Sequence, residues 1–128
     1  MRLLLDTHTL VWWTFSPGKL SKRARAAISD SDTSVFVSAI SAMEIATKVS
    51  LGKFEQARPL SCQFSAQVLG EGFELLAITA DHGVHAGNLA RTHKDPWDRL
   101  LVAQALIEQL TLVSNDSKID AFGISTFW

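Results

Sequence analysis

The chain has 128 residues, 47% hydrophobic and 20% charged, which suits one globular domain with a core of its own across residues 1–128. Twelve Lys and Arg against 13 Asp and Glu leave a net charge of −1, which argues against a basic nucleic-acid coat or a polybasic membrane anchor but not against an enzyme that meets nucleic acid through a metal ion. The single Cys62 excludes an internal disulfide and a Cys-built zinc site, and no apolar run approaches the ~20 residues of a membrane span.

Met1-Arg2-Leu3-Leu4-Leu5 stops at Asp6. That is too short for the roughly 7–15 apolar residues of a signal peptide, so a mature start and a cytoplasmic setting are expected. Leu3 to Leu5 reads as a strand covered on both faces. Thr7 to Phe15 opens a helix that Ser16-Pro17-Gly18 breaks. Ser21 caps a basic helix to about Ile28, and Val35 to Val37 is a second buried strand. Ser38 or Ser41 starts a helix that ends at Leu51 before Gly52. Leu60 to Leu69 reads as one helix, and Phe73 to Ile78 contains a third strand. Thr79 caps a helix to about Ala90, and Asp95-Pro96 starts another that runs to about Gln109. Thr111 to Val113 is a fourth strand, a turn follows Asp116, and Gly123-Ile124 is expected to belong to a last short strand.

Strands alternate with helices throughout. The pattern predicts an α/β fold, a three-layer sandwich with a mostly parallel central sheet and right-handed crossovers. Ligands in such folds sit outside the carboxyl ends of the strands. Asp6 directly follows the first strand, and Asp116 lies just past the fourth.

Further carboxylates adjoin apolar segments: Glu44, Asp95 and Asp98. Each has a plain structural reading. Ser41 and Glu44 have capping-box spacing. Asp95 suits an N-cap, and Asp98 a third helical position favoured by the helix dipole. Asp6 and Asp116 suit turns. As a set they fit less easily, because carboxylates crowded at one sheet edge raise one another's pKa and cost stability. A hard divalent cation relieves that crowding. Magnesium takes oxygen ligands and pairs with substrate phosphates, and manganese accepts similar donors. Such an ion activates water and steadies the leaving oxygen in phosphodiester cleavage.

The ordered blocks Leu4-Leu5-Asp6-Thr7-His8, Ser41-Ala42-Met43-Glu44-Ile45-Ala46-Thr47-Lys48 with Leu51-Gly52-Lys53, His93-Lys94-Asp95-Pro96-Trp97-Asp98-Arg99-Leu100-Leu101-Val102-Ala103-Gln104-Ala105 and Leu112-Val113-Ser114-Asn115-Asp116 resemble the PIN-domain ribonucleases. Within them, the chain is similar to the VapC-like toxins of type II toxin–antitoxin pairs. The resemblance implies a PIN-like fold and an endoribonuclease dependent on Mg2+ or Mn2+. By motif position it makes Asp6, Glu44, Asp98 and Asp116 the catalytic, metal-holding set. Thr7 and Ser114 would support a carboxylate or a bound water through their hydroxyls, and Asp95 would stand behind the ligands as an N-cap. Ser114 occupies a place where threonine is frequent, and Trp97 one where phenylalanine is usual; neither change removes a proposed ligand. A cognate antitoxin and a homodimer are also implied, with no membrane partner.

Lys19, Lys22, Arg23 and Arg25 cluster around the second helix, a pattern that also fits a solvated face. Beside a nuclease site, Lys22, Arg23, Lys48 and Arg99 become candidates for RNA phosphate contacts. His82 and His85 share a helix face but lack a third ligand, so the histidines read as surface or core residues. Trp12, Trp13, Phe15, Phe127 and Trp128 are assigned first to core or interface. No Gly-x-Ser-x-Gly elbow or phosphate-binding loop is present. Two other readings compete: a catalytically silent PIN-like module that keeps its acidic edge for partner binding, and a DNA-directed nuclease. The contacts to a 2′-hydroxyl that separate RNA from DNA are not visible in a motif.

Overall fold

Leu3, Leu4 and Leu5 are wholly buried in the computed structural model, which describes all 128 residues. They form β1 (Arg2–Leu5), which lies inside a four-stranded sheet of order β3-β2-β1-β4. The other strands are β2 (Ser34–Ser38), β3 (Glu74–Leu76) and β4 (Thr111–Val113), and every pairing is parallel. Side chains alternate across a strand, so Leu3 and Leu5 enter one core and Leu4 the other. The continuous leucine run is therefore a requirement of helices packed on both faces of the sheet.

The larger core lies against α1 (Thr7–Phe15), α2 (Lys22–Ser29), α4 (Arg58–Cys62) and α5 (Phe64–Gly70). Trp12, Trp13, Phe15, Phe127 and Trp128 pack at its rim. The smaller core is built largely from α7 (Pro96–Glu108), through Leu101, Val102 and Ala105, and α6 (Ala80–Asn88) packs along α7. Between the two cores, α3 (Ala39–Ser50) gives Ile45 and Val49 to the larger and Ile40 to the smaller. No helix is long and apolar enough to cross a membrane.

Strand order decides where a crevice can form. The chain steps outward from β1 to β2 to β3, then returns across the sheet to place β4 on the other side of β1. The winding thus reverses between β1 and β4, and a crevice opens at the carboxyl ends of strands where that happens.

Local chemistry accounts for the helix boundaries. Ser21, Thr79 and Asp95 each accept a backbone N–H as expected of N-caps. At Thr79 the reciprocal partner is His82, whose Nδ1 accepts the Thr79 N–H at 3.0 Å. Three expectations need correction. Of the two expected starts of α3 the structure has Ser38, which accepts from the Ile40 N–H at 3.0 Å; what falls is the capping-box reading of the Ser41–Glu44 pair. The segment from residue 60 to 69 is two helices, because Gln63 leaves helical geometry at φ −139° and ψ 48°. Gly123 turns the chain with φ 77°, and the last parallel bridge joins Phe127, not Ile124, to Val113.

Gln109 ends α7 in the left-handed region at φ 56°, the only non-glycine residue with positive φ. A side chain there carries a penalty of about 1–2 kcal/mol that glycine escapes, offset in part by glycine's greater freedom when unfolded. Gln109 is exposed. Gln109→Gly is therefore expected to stabilise the fold by about 0.5–1 kcal/mol in chemical denaturation.

Candidate active site

Leu5 is paired with Val37 on one side and Val113 on the other. The residues that follow in each strand, Asp6, Ser38 and Ser114, therefore emerge on one edge, and all three are buried. The Asp6 N–H donates to the Val113 carbonyl at 3.1 Å, which closes the edge between β1 and β4.

Asp6 is the N-cap of α1, accepting from the Thr9 N–H at 2.7 Å. Burial raises its pKa, while the Ser114 hydroxyl and Thr9 work against the rise. The same Ser114 hydroxyl accepts the Asp116 N–H at 3.1 Å, so one side chain ties Asp6 to the loop that carries Asp116. Asp116 in turn caps the short 3-10 turn at Ser117–Phe122 through Lys118 N–H at 2.9 Å. Asp6 and Asp116 are thus capping residues that stand at the crevice.

Glu44 lies on the first turns of α3 and is buried. Thr7 donates to its Oε1 at 2.6 Å, and the Thr7 and Ser41 hydroxyls are 3.0 Å apart. Lys48, one helical turn on, holds its Oε2 at 2.6 Å. Glu44 therefore has its countercharge within its own helix and a hydrogen bond from the Thr7 hydroxyl.

Asp95 caps α7 by accepting from the Trp97 N–H at 2.9 Å. That cap fixes the helix start and puts Asp98 on the first turn. Asp98 Oδ2 lies 2.7 Å from His93 Nε2. Burial raises the Asp98 pKa, the His93 bond opposes the rise, and the charges of Asp95 and Asp116 add to it. Sequence reasoning gives His93 no role; its place just before Asp95-Pro96 is the only signal that could have found it.

Among the basic candidates, Lys22 and Arg23 are exposed on α2, and the Arg23 guanidinium lies 4.2 Å from the Phe127 ring centroid. Arg99 needs correction. It is 5% exposed, and its guanidinium donates to the carbonyls of Gly87, Leu89, Ala90 and His93. A side chain so engaged is an internal clamp and not a phosphate contact.

No three Asp, Glu, His or Cys side chains converge tightly enough to form a ready-made cation cage. The donor set still suits a hard divalent ion. It consists of carboxylate oxygens, and two of the carboxyls are pushed towards their neutral form by burial, a cost that a cation offsets.

A carboxyl whose pKa is raised by folding holds its proton more tightly in the native state. Its favourable contribution is complete in acid, below the unfolded pKa, and is lost as pH rises through the folded pKa. Asp6→Asn keeps the cap acceptor. In the presence of chelator it is expected to melt at or above wild type at neutral pH, with the difference shrinking in acid; a lower neutral melting point would contradict this. Glu44→Gln loses the Lys48 ion pair and is expected to cost about 1–2 kcal/mol in the same melts.

The sequence and the fold both match proteins of known family. The PIN domain family model matches residues 3–124. The chain is 32% identical over 118 residues to Ribonuclease VapC22 of Mycobacterium tuberculosis, covering 91% of this chain and 88% of that one. Its fold is similar to that of FitAcB from Neisseria gonorrhoeae, with a TM-score of 0.67 at 19% identity over 98% of this chain and 96% of that one. It is also similar to VapBC2 from Rickettsia felis bound to a DNA fragment from their promoter, with a TM-score of 0.66 at 20% identity over 95% and 93% of the two chains. The match along nearly the whole chain, on a four-stranded parallel sheet, has one meaning: this chain belongs to the PIN-domain family and is a homologue of the VapC ribonucleases.

Proposed function

We propose that this protein is a VapC-like toxin, a metal-dependent endoribonuclease in which Asp6, Glu44, Asp98 and Asp116 hold Mg2+ or Mn2+. What supports the reading is a set of links at the carboxyl ends of β1 and β4: Ser114 joins Asp6 to the Asp116 loop, Thr7 next to Asp6 holds Glu44, and the charge of Asp116 acts on Asp98, while burial raises the pKa of Asp6 and Asp98. A divalent ion held there would activate water for in-line attack on a phosphodiester and offset charge on the phosphoryl oxygens.

The chain's own residues do the rest. Thr7 and Lys48 hold Glu44 by both oxygens, so its carboxylate has one orientation. Asp95 fixes the first turn of α7 and with it the height of Asp98 above the sheet. Ser114 keeps the Asp6 and Asp116 segments together. Lys22 and Arg23 supply exposed positive charge for RNA phosphates.

An acidic crevice of this kind also suits a protein inhibitor that inserts a basic side chain. Arginine fits best, since its planar fork pairs with carboxylates bidentately. The homology to the VapC ribonucleases supports a protein partner of that kind. We assign the same kind of partner, a cognate antitoxin, to this chain. A homodimer completes the proposal, with Val84, Leu106 and Ile107 as exposed apolar residues available to a second copy.

The test uses antitoxin-free protein and one single-stranded or looped RNA. Cleavage is expected with magnesium or manganese and is expected to stop with chelator. Asp6→Asn and Asp98→Asn are each expected to reduce it at least about 100-fold. Asp95→Asn, an equally good cap, serves as the control and should lose much less. Magnesium at about 100 times its dissociation constant should stabilise wild type by about 2.7 kcal/mol and the Asp98 variant by less. Cleavage that resists chelator would remove the metal mechanism, and equal cleavage of the matching DNA would remove the preference for RNA.

A further inference from the structure

The connection between α6 and α7 is held more firmly than a surface loop of its length requires. Arg99 Nη1 donates to the Ala90 carbonyl at 2.7 Å and to the His93 carbonyl at 3.0 Å. Its Nη2 donates to the Leu89 carbonyl at 2.6 Å and to Gly87 at 3.3 Å. A buried guanidinium carries five donors in a fixed fork, so it can fasten several carbonyls at once without help from a carboxylate. The Phe122 ring packs 5.5 Å from the His93 ring and 5.9 Å from the Arg99 guanidinium. His93 is thereby fixed at its carbonyl, at its ring face and at Nε2, where it meets Asp98 Oδ2 at 2.7 Å.

A carboxylate on the first turn of a helix rotates freely about its last bond unless one oxygen is engaged. The His93 ring engages one of the two. Loss of a residue that orients a metal-holding side chain typically costs about 10–100-fold in metal affinity or activity.

We infer that His93 is a positioning residue for Asp98: its Nε2–H donates to Oδ2 and fixes the rotation of the carboxylate, so that Oδ1 is presented to a divalent cation, while Arg99 holds His93 in place. The inference rests on the metal-dependent nuclease reading. It assigns His93 no contact with the ion or with RNA.

Two substitutions separate the donor from the ring. His93→Gln places an amide N–H near the position of Nε2 but removes the ring. His93→Phe keeps a ring against Phe122 but removes the donor. The measurements are calorimetric titration of Mn2+ into antitoxin-free protein, kcat and KM for cleavage of one RNA, and melts in chelator to verify folding. His93→Gln is expected to stay close to wild type. His93→Phe is expected to bind Mn2+ about 10-fold or more weakly and to lose kcat by a similar factor, with KM for RNA unchanged. Should the Phe variant not fold, His93→Asn, too short to reach Oδ2, takes its place with the same expectation.

The reverse order, with His93→Gln impaired and His93→Phe intact, would mean that the ring serves packing alone and would overturn the inference. So would wild-type Mn2+ affinity in both variants. Asp98→Asn distinguishes the two levels. If it weakens Mn2+ binding and the donorless His93 variant does not, this inference fails and the nuclease reading stands. If wild type neither binds Mn2+ nor cleaves RNA, both fall.

Discussion

Once Leu5 is paired in parallel register with Val37 and Val113, the next residue of each strand has to emerge at the same edge. That register arises from burying the leucines of β1 between two layers of helices, and a slip by one residue would exchange the faces of Leu3, Leu4 and Leu5. The placement of Asp6, Ser38 and Ser114 is a consequence of it. So are the starts of α1 and α3, because the cap of each helix lies at the carboxyl end of the preceding strand. The polar edge is thus fixed by apolar packing beneath it.

What the edge does with its charge differs from residue to residue. Glu44 is neutralised within its own helix by Lys48 and bonded by Thr7. Asp6 and Asp98 have only neutral donors or a histidine to set against burial, and their pKa values are raised accordingly. The acids are therefore not equivalent. Asp6 and Asp98 bear the cost of burial as carboxylates, while Glu44 has a cation within hydrogen-bond distance.

Much of this is legible in the sequence because the signals are local. Leu3-Leu4-Leu5 and Val35-Phe36-Val37 mark strands by composition, and Ser21, Thr79 and Asp95 mark caps by residue type and position. Asp6 and Asp116 are legible as crevice residues because each lies at the end of an obvious strand. Pairwise contacts across the fold are not legible. Arg99 looks like a free cation beside the acids, and only the placement of the carbonyls at the end of α6 and in the connection that follows shows that it is enclosed. His93 carries no helical or strand periodicity, so only its place just before Asp95-Pro96 hints at its bond to Asp98. The capping-box spacing of Ser41 and Glu44 is a coincidence that Ser38 overrides, because the helix begins immediately at the strand end. The break at Gln63 likewise lacks the glycine or proline that marks most interruptions.

The bridge from Val113 to Phe127 bears on how copies of the chain can meet. An exposed strand edge is a template on which another molecule can add a strand, and from which aggregates grow. On the β4 side, Phe127 occupies that template, donating to the Leu112 carbonyl and accepting from the Ser114 N–H. On the opposite side, β3 is only three residues long and begins with the charged, exposed Glu74. Neither border of the sheet offers a long apolar strand for recruitment. A protein that leaves Val84 and Met43 open to solvent can therefore meet other chains through its helices while its sheet resists open-ended polymerisation.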